Sequence, residues 1–479
     1  MEAIFAELAA DLAPVYRRRD LRANALLYLR GLLMPLVAGN CWSIAEAVGL
    51  DRPYRLHHLL GRASWDEDAA RDAVRAFLAR YLGADGGVLI FDETGQAKKG
   101  TMTAAAGRQY SGTMGRVENV IVAVCTRYAT DRGHALIDRD LYVQDDWFKD
   151  PARMAKAGFP ADHAFATKPA LALAQAKRAL AAGIRPGWAA GDEVYGRSRE
   201  LREFLEAAGI GYVFAVPVEH RFTTCGGLRM RADQVLGLVE PVAWNRRSCG
   251  MGAKGPRYYD WAWIATDHPR RQLLIRRSIA DPGEIAYFYA YVPDDCVCSL
   301  TDLVKIAGAR WKVEDDFQDS KSTVALDQTQ VRCYRAWKRH VTLAMAALAL
   351  GRGQATGLQV RLIGLGPAHP GAQRLAVHPQ LSSNIGDRAP RVGGPDQRHG
   401  IGTELRGKNG QPTHRGPSLW ITKIQYQGCP RSRGNPSSML AVSAGRGQPA
   451  TETPRRDRAP GGAGCGRRRR AGRSRPRAR

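Results

Sequence analysis

The sequence predicts an α/β protein, with a mixed sheet that carries a β-rich insertion, a helical N-terminal segment before it and a disordered basic tail after it. Three observations carry this expectation. Apolar residues recur at three- and four-residue spacing through residues 1–84, the period of an amphipathic helix. From Gly86 the pattern shortens to β-rich runs that later alternate with helical ones, as in a mixed sheet. After Leu350 helical periodicity gives way to Gly, Pro and Arg, a composition that cannot bury enough apolar surface to offset the entropy of ordering.

The first segment, 1–84, contains "LRANALLYLRGLLMPLV" and "DEDAARDAVRAFLARYLG", both of helical period. Between them Ser43 is placed to cap a short helix through Val48, Gly49 to make a turn, and a second helix to run from about Tyr54 to Leu60 with Arg55, His57 and His58 outward. That is the outline of a helix-turn-helix, whose second helix can enter a major groove; an ordinary helical hairpin has the same outline.

The next segment, 85–218, opens with the strand "GGVLIFDE" at 86–93, followed by strands over "ENVIVAVCTRYA" and "HALIDRDLYV". A helix from about Lys168 to Ala182, the short strand "GWAAGDE", a helix over "RSRELREFLEAAG" and the strand "GYVFAVP" complete a β-β-β-α-β-α-β order. Asp92 and Asp192 fall at the C-terminal ends of the first and fourth strands, where functional groups gather in open α/β sheets. Residues 219–298 read as a β-rich insertion with strands over "YYDWAWIATD", "RQLLIRRSIA" and "EIAYFYAYV". Residues 299–350 read as two helices, about Leu300 to Thr323 and Tyr334 to Leu350, the second ending where Gly351 and Gly353 interrupt it. The tail, 351–479, reads either as a disordered basic extension or as out-of-frame translation of a GC-rich gene.

A chain of 479 residues is long enough for two or three domains. Its formal net charge of +25 suits a polyanionic partner, but most of the excess lies after Leu350 and the segments before it are mildly basic. The 9 cysteines show no paired CxxC spacing, which argues against a disulfide framework or zinc ribbon and for reduced, cytoplasmic thiols. No run approaches the roughly 20 apolar residues of a membrane span, so no membrane partner is expected.

Two aspartates at strand ends and a helical glutamate are the donors a two-metal phosphoryl-transfer site needs. Two magnesium ions about 3.5–4 Å apart can activate an attacking oxygen and stabilise a leaving one, with no protein nucleophile. A lone Asp after a strand, however, also serves as turn former or helix cap. At about 100° per residue, Arg310, Glu314 and Lys321 fall within roughly 40° on one helix face. Such cations either form surface pairs with the acid or grip phosphates beside it, Arg310 through its fork and Lys321 as a point charge.

These residues resemble a family. The "RWKVEDDFQDSK" spacing of Arg310, Glu314 and Lys321 looks like the Y-R-E-K signature of bacterial insertion-sequence transposases of the DDE endonuclease superfamily. The resemblance extends through "FDETGQAKKG", "GRQYSGTMGRVENVIVAV", "FATKPALALAQAKRALAAG", "GDEVYGRSRELREFLEAAGIGYVFAV" and "WKRHVTLAMAALAL", over roughly residues 20–350. It implies an RNase H-like catalytic domain and cut-and-paste DNA transposition. It also implies two divalent metal ions, magnesium or manganese, on Asp92, Asp192 and Glu314, with DNA-end contacts from Arg310 and Lys321. The implied partners are double-stranded DNA, as terminal inverted repeats and target, and a second copy in a homodimeric synaptic complex at the bacterial nucleoid. The signature tyrosine falls at Ala307, a departure that removes its phosphate contact. Trp261 and Trp263 are candidates for stacking on an extruded base, against a plain core-strand role.

Three other readings stay open. A glycoside hydrolase also pairs carboxylates but has no use for Arg310 and Lys321. A decayed element would leave a protein that binds ends without moving them, and a metal-dependent nuclease would cut without joining.

Overall fold

The computed structural model describes residues 2–36, 38–112, 114–252, 255–310 and 324–361, and the short strands 420–423 and 440–443. Helical periodicity at the N-terminus becomes five helices, α1 (Glu2–Leu12), α2 (Arg19–Leu32), α3 (Cys41–Ala47), α4 (Tyr54–Gly61) and α5 (Glu67–Leu82). Each longer helix buries one stripe, Leu21, Ala25, Tyr28 and Leu32 on α2 and Ala70, Val74, Phe77 and Leu78 on α5. Asn40, not Ser43, caps α3: its Oδ1 accepts the N–H of Trp42 at 2.9 Å and of Ser43 at 3.1 Å. The Asn carbonyl reaches the first free amides from one position before the helix, which leaves Ser43 inside it. Gly49 makes the turn at φ +73°, and α4 follows with Arg55, His57 and His58 exposed.

The sheet is built around β1 (Val88–Ala97), which pairs antiparallel with β3 (Arg116–Thr130) and parallel with β5 (Trp188–Gly191). Along its other edge β3 carries β2 (Gly107–Ser111) and then β4 (Gly133–Tyr142). Three helices follow β4: α6 (Asp145–Phe148), α7 (Pro151–Lys156) and α8 (Lys168–Ala181). After β5 come α9 (Glu193–Gly196), α10 (Arg199–Ala207) and β6 (Gly211–Val216), which lies parallel to β5. The sequence places the end of the first strand at residue 93. Instead β1 continues to Ala97, because Thr94 to Ala97 stay paired with Ala123 to Val120 of β3. Nor does Asp92 end the strand; it marks the point where the parallel neighbour β5 has ended.

The β-rich stretch opens with the hairpin β7 (Arg221–Thr223) and β8 (Arg229–Arg231) and the short α11 (Ala232–Leu236). Then β9 (Asn245–Gly252), β10 (Gly255–Ala265), β11 (Arg271–Arg277) and β12 (Ile285–Tyr291) form an antiparallel meander. β12 pairs antiparallel with β6, Tyr289 opposite Phe214, so these strands lengthen the central sheet instead of forming one of their own. Period-two alternation sorts residues between two cores. Ala189, Tyr212, Phe214 and Ile275 join the larger core, while Ala190, Val213, Trp261 and Leu274 pack beneath α12 (Leu300–Ala309). The expected continuation of that helix through residues 311–323 lies outside the described residues.

The last long helix, α13 (Tyr334–Arg361), packs against α1, α2, α4, α5 and β4. It does not stop at Leu350 as the glycines predict. A glycine inside a helix keeps its backbone hydrogen bond and costs only about 1 kcal/mol relative to alanine, too little to terminate a helix already nucleated and packed. Within the tail, β13 (Trp420–Lys423) pairs with β14 (Leu440–Ser443), and Leu440 pairs with Ile264 of β10. The expectation of disorder otherwise falls outside the described residues.

Buried charge ties α5, β4, α8 and α13 together. Asp138, with no solvent exposure, accepts from Arg75 at 2.8 Å and from Arg178 Nε at 2.9 Å. Asp68 receives Arg71 and Arg139 at 3.0 Å and Lys338 at 2.6 Å, and these cations hold its carboxyl well below the usual range despite burial. Among the described residues the cysteines are free thiols and no helix is long and apolar enough to cross a membrane.

Candidate active site

The site begins with register. Leu89, Ile90 and Phe91 are fully buried, and β1 and β5 run parallel with Phe91 opposite Gly191. The next residue on each chain segment is an aspartate. Adjacent strands lie about 4.8 Å apart, so Asp92 and Asp192 leave the paired stretch side by side.

Local structure fixes both carboxylates. Asp192 caps α9, its Oδ1 accepting the N–H of Val194 at 2.9 Å. Gly196, at the end of α9, lets that short helix press on β6, since a Cβ there would lie 2.0 Å from the Ala215 carbonyl oxygen. Asp92 Oδ1 accepts the N–H of Glu93 at 2.8 Å. Among the described residues each carboxylate therefore has one hydrogen bond, from a backbone amide, and spare acceptor capacity.

Both acids line a cleft of about 910 Å³ together with Glu93, Lys168, Arg310 and the strand β2. Lys168, the first residue of α8, places Nζ 2.9 Å from Glu93 Oε2, and Tyr195 donates to the other Glu93 oxygen at 3.3 Å. Burial pushes the Asp92 carboxyl up to about 6. The Arg310 guanidinium and the Glu93 amide oppose that rise, and the charges of Asp192 and Glu93 add to it.

Arg310 follows α12 directly and reaches the cleft. Glu314 and Lys321 lie outside the described residues, and among those described no three His, Cys, Asp or Glu side chains group as a metal site. Ala307, at the signature-tyrosine position, is on the buried face of α12. Trp261 is fully buried in the core beneath α12, and Trp263, on the same face of β10, is half-buried against it. Glu93 and Lys168 are cleft residues that sequence reasoning missed. The acid pair "DE" in "IFDE" is the one signal that pointed toward Glu93; a lysine opening a helix after a Thr cap carries none.

A family model described as a DDE superfamily endonuclease matches residues 11–234, and one described as a transposase DDE domain matches residues 161–350. Both cover the cleft aspartate Asp192, and the first covers Asp92. Over residues 11–350 the chain is thus similar to DDE superfamily endonucleases and transposases. A relative, described as a probable transposase for insertion sequence element IS701 from Microchaete diplosiphon, is 30% identical over 205 residues, covering 42% of this chain and 51% of the relative. The chain thus spans about half the length of that curated relative. Among solved structures, the piggyBac transposase synaptic complex with hairpin DNA aligns over 75% of this chain and 73% of its own at 11% identity, with a TM-score of 0.39. A likeness that loose bears no weight for fold or function.

Proposed function

We propose that this chain is a DDE transposase that cuts DNA at insertion-sequence ends and joins it to a target, using two divalent metal ions held by Asp92, Asp192 and Glu314. The observation that carries the reading is the Phe91–Gly191 register, which brings Asp92 and Asp192 to one level of one cleft. The strand order β4-β3-β1-β5-β6, with β3 antiparallel to β1 and β1, β5 and β6 parallel, supports an RNase H-like core over residues 85–218, completed by 299–350.

The residues suit hard cations. Asp92 and Asp192 stand side by side, each held by a backbone amide, and both keep oxygen acceptor capacity for magnesium or manganese. Bound there, the metals supply activation of the attacking oxygen and neutralisation of the leaving one. The chain does the rest. Arg310, which lines the cleft and whose charge acts on Asp92, offers a bidentate fork to a phosphate, and Lys168, lining the same cleft, offers a point charge. Glu93 holds Lys168 in place until phosphate oxygens compete for it.

In this reading α3 and α4, within residues 1–84, read duplex DNA through Arg55, His57 and His58. Residues 219–298 extend the sheet beside the catalytic core, and residues 351–479 add salt-sensitive, non-specific attraction to DNA. Two copies of the chain hold the paired inverted repeats and the target.

A supercoiled plasmid carrying the inverted repeats that flank the gene tests this. The wild-type protein is expected to excise the segment and join it to a second plasmid only with magnesium or manganese present. Asp92→Asn and Asp192→Asn are each expected to abolish both steps while retaining binding to the ends in a gel shift, because the amide keeps the shape and loses the charge. Cleavage at the wild-type rate by either variant sinks the assignment, and cutting without joining by the wild type makes the chain a nuclease.

A further inference from the structure

One wall of the cleft is strand β2, through Gln109, Tyr110 and Ser111. The Tyr110 side chain is 64% exposed, although tyrosines in sheets usually bury most of the ring. Alternation along β2 explains it. Ser111 is buried and Gln109 half-buried, whereas Arg108 and Tyr110 share the exposed face. Across the ladder Tyr110 stands opposite Val117, itself exposed, and exposed Met114 sits in the connecting turn. Exposed apolar side chains therefore gather around an aromatic ring on a strand that lines the acidic cleft, with Arg108 on the same face.

We propose that Tyr110 is a base-stacking positioning residue: its ring takes the face of a nucleobase at the DNA end and so sets which phosphate lies over Asp92 and Asp192. The proposal rests on the DNA-cutting reading of the cleft. Every base offers a π-face flanked by phosphates, and stacking on an exposed aromatic is tolerant of sequence. The surroundings fit that ligand, with Arg108 beside Tyr110 on β2 and Lys168 and Arg310 lining the cleft. An apolar partner protein would not call for this charged rim, and the patch is continuous with the cleft. Trp261 of β10 is fully buried and is not available for this work.

The test uses the full-length protein and a duplex ending in the flanking inverted repeat, with the fluorescent adenine analogue aminopurine replacing each terminal base in turn. With wild type, one position is expected to change in fluorescence on binding. Tyr110→Ala is expected to lose that change and to weaken end binding on the order of tenfold, while Tyr110→Phe, which keeps the ring, restores both. Wild-type cleavage together with an unaltered signal and affinity in Tyr110→Ala overturns the stacking role and leaves the DDE reading standing. Failure of Phe to rescue, or a Tyr110→Ala effect confined to self-association in sedimentation, also overturns it. If wild type binds none of the ends and cuts none, both readings fall together.

Discussion

Arg310 is the residue at which the two halves of the site meet. Its guanidinium counters the burial that raises Asp92, and it stands immediately before the stretch that holds Glu314. Replacing it with alanine removes one phosphate grip, so the slope of log affinity for pre-cut ends against log salt is expected to fall by about one unit. An unchanged slope would return Arg310 to a purely intramolecular partner of Asp92. At this scale the sequence placed Asp92 and Asp192 at the level where two apolar strand runs give way to acid, and both line the one cleft. It did not disclose Lys168 or Tyr110. The one depends on which helix start faces the cleft, the other on a strand whose residues, "GRQYS", show no apolar alternation, and both are settled by tertiary packing alone.

Among the elements, the strand-helix alternation from β3 to β6 was legible because β-branched runs and helical stripes differ in period. β2 and β9 were not, since neither carries an apolar alternation, and the antiparallel docking of β12 on β6 is a long-range pairing that local pattern cannot encode. The end of α13 was misread because glycine propensity was weighed without the packing that overrides it. Charge within elements was also invisible as structure: "DRD" in β4 places Asp138 inside, where Arg75 of α5 and Arg178 of α8 close on it. Removing one partner of a buried ion network leaves the others uncompensated, at about 3–5 kcal/mol. Asp138→Ala is therefore expected to lower the urea midpoint by that amount of stability, far more than Asp145→Ala, whose pair with Lys149 is exposed. Equal midpoints for the two variants would show that the network contributes nothing net.

At the largest scale, the N-terminal helices are covered by a helix made about 300 residues later. His340 of α13 is completely buried, accepting the Tyr28 hydroxyl of α2 at Nδ1, 2.8 Å away, with Nε2 3.2 Å from the Ala325 carbonyl. Burial pushes the imidazole down to about 4, so the folded state holds it neutral where the unfolded chain would protonate it. Its contribution is thus complete above about pH 6.5, the usual histidine value, and is lost as pH falls toward about 4, up to about 3 kcal/mol in all. Unfolding measured across that range should steepen in wild type and flatten in His340→Gln; parallel curves would exclude His340 as the cause. The same contact sets a clock. Tyr28 and His340 are 312 positions apart, and at roughly 5–20 residues per second the ribosome takes roughly 15–60 s to deliver the second after the first. Throughout that interval Leu29, Leu32 and their neighbours wait without the helix that will cover them, as a client surface for chaperones. Nascent chains halted before Tyr334 are expected to lose residues 19–61 to a protease that spares them in the finished protein. Abortive products of translation would then be cleared while α2 to α4 lack their cover, so a helix made late vouches for helices made early.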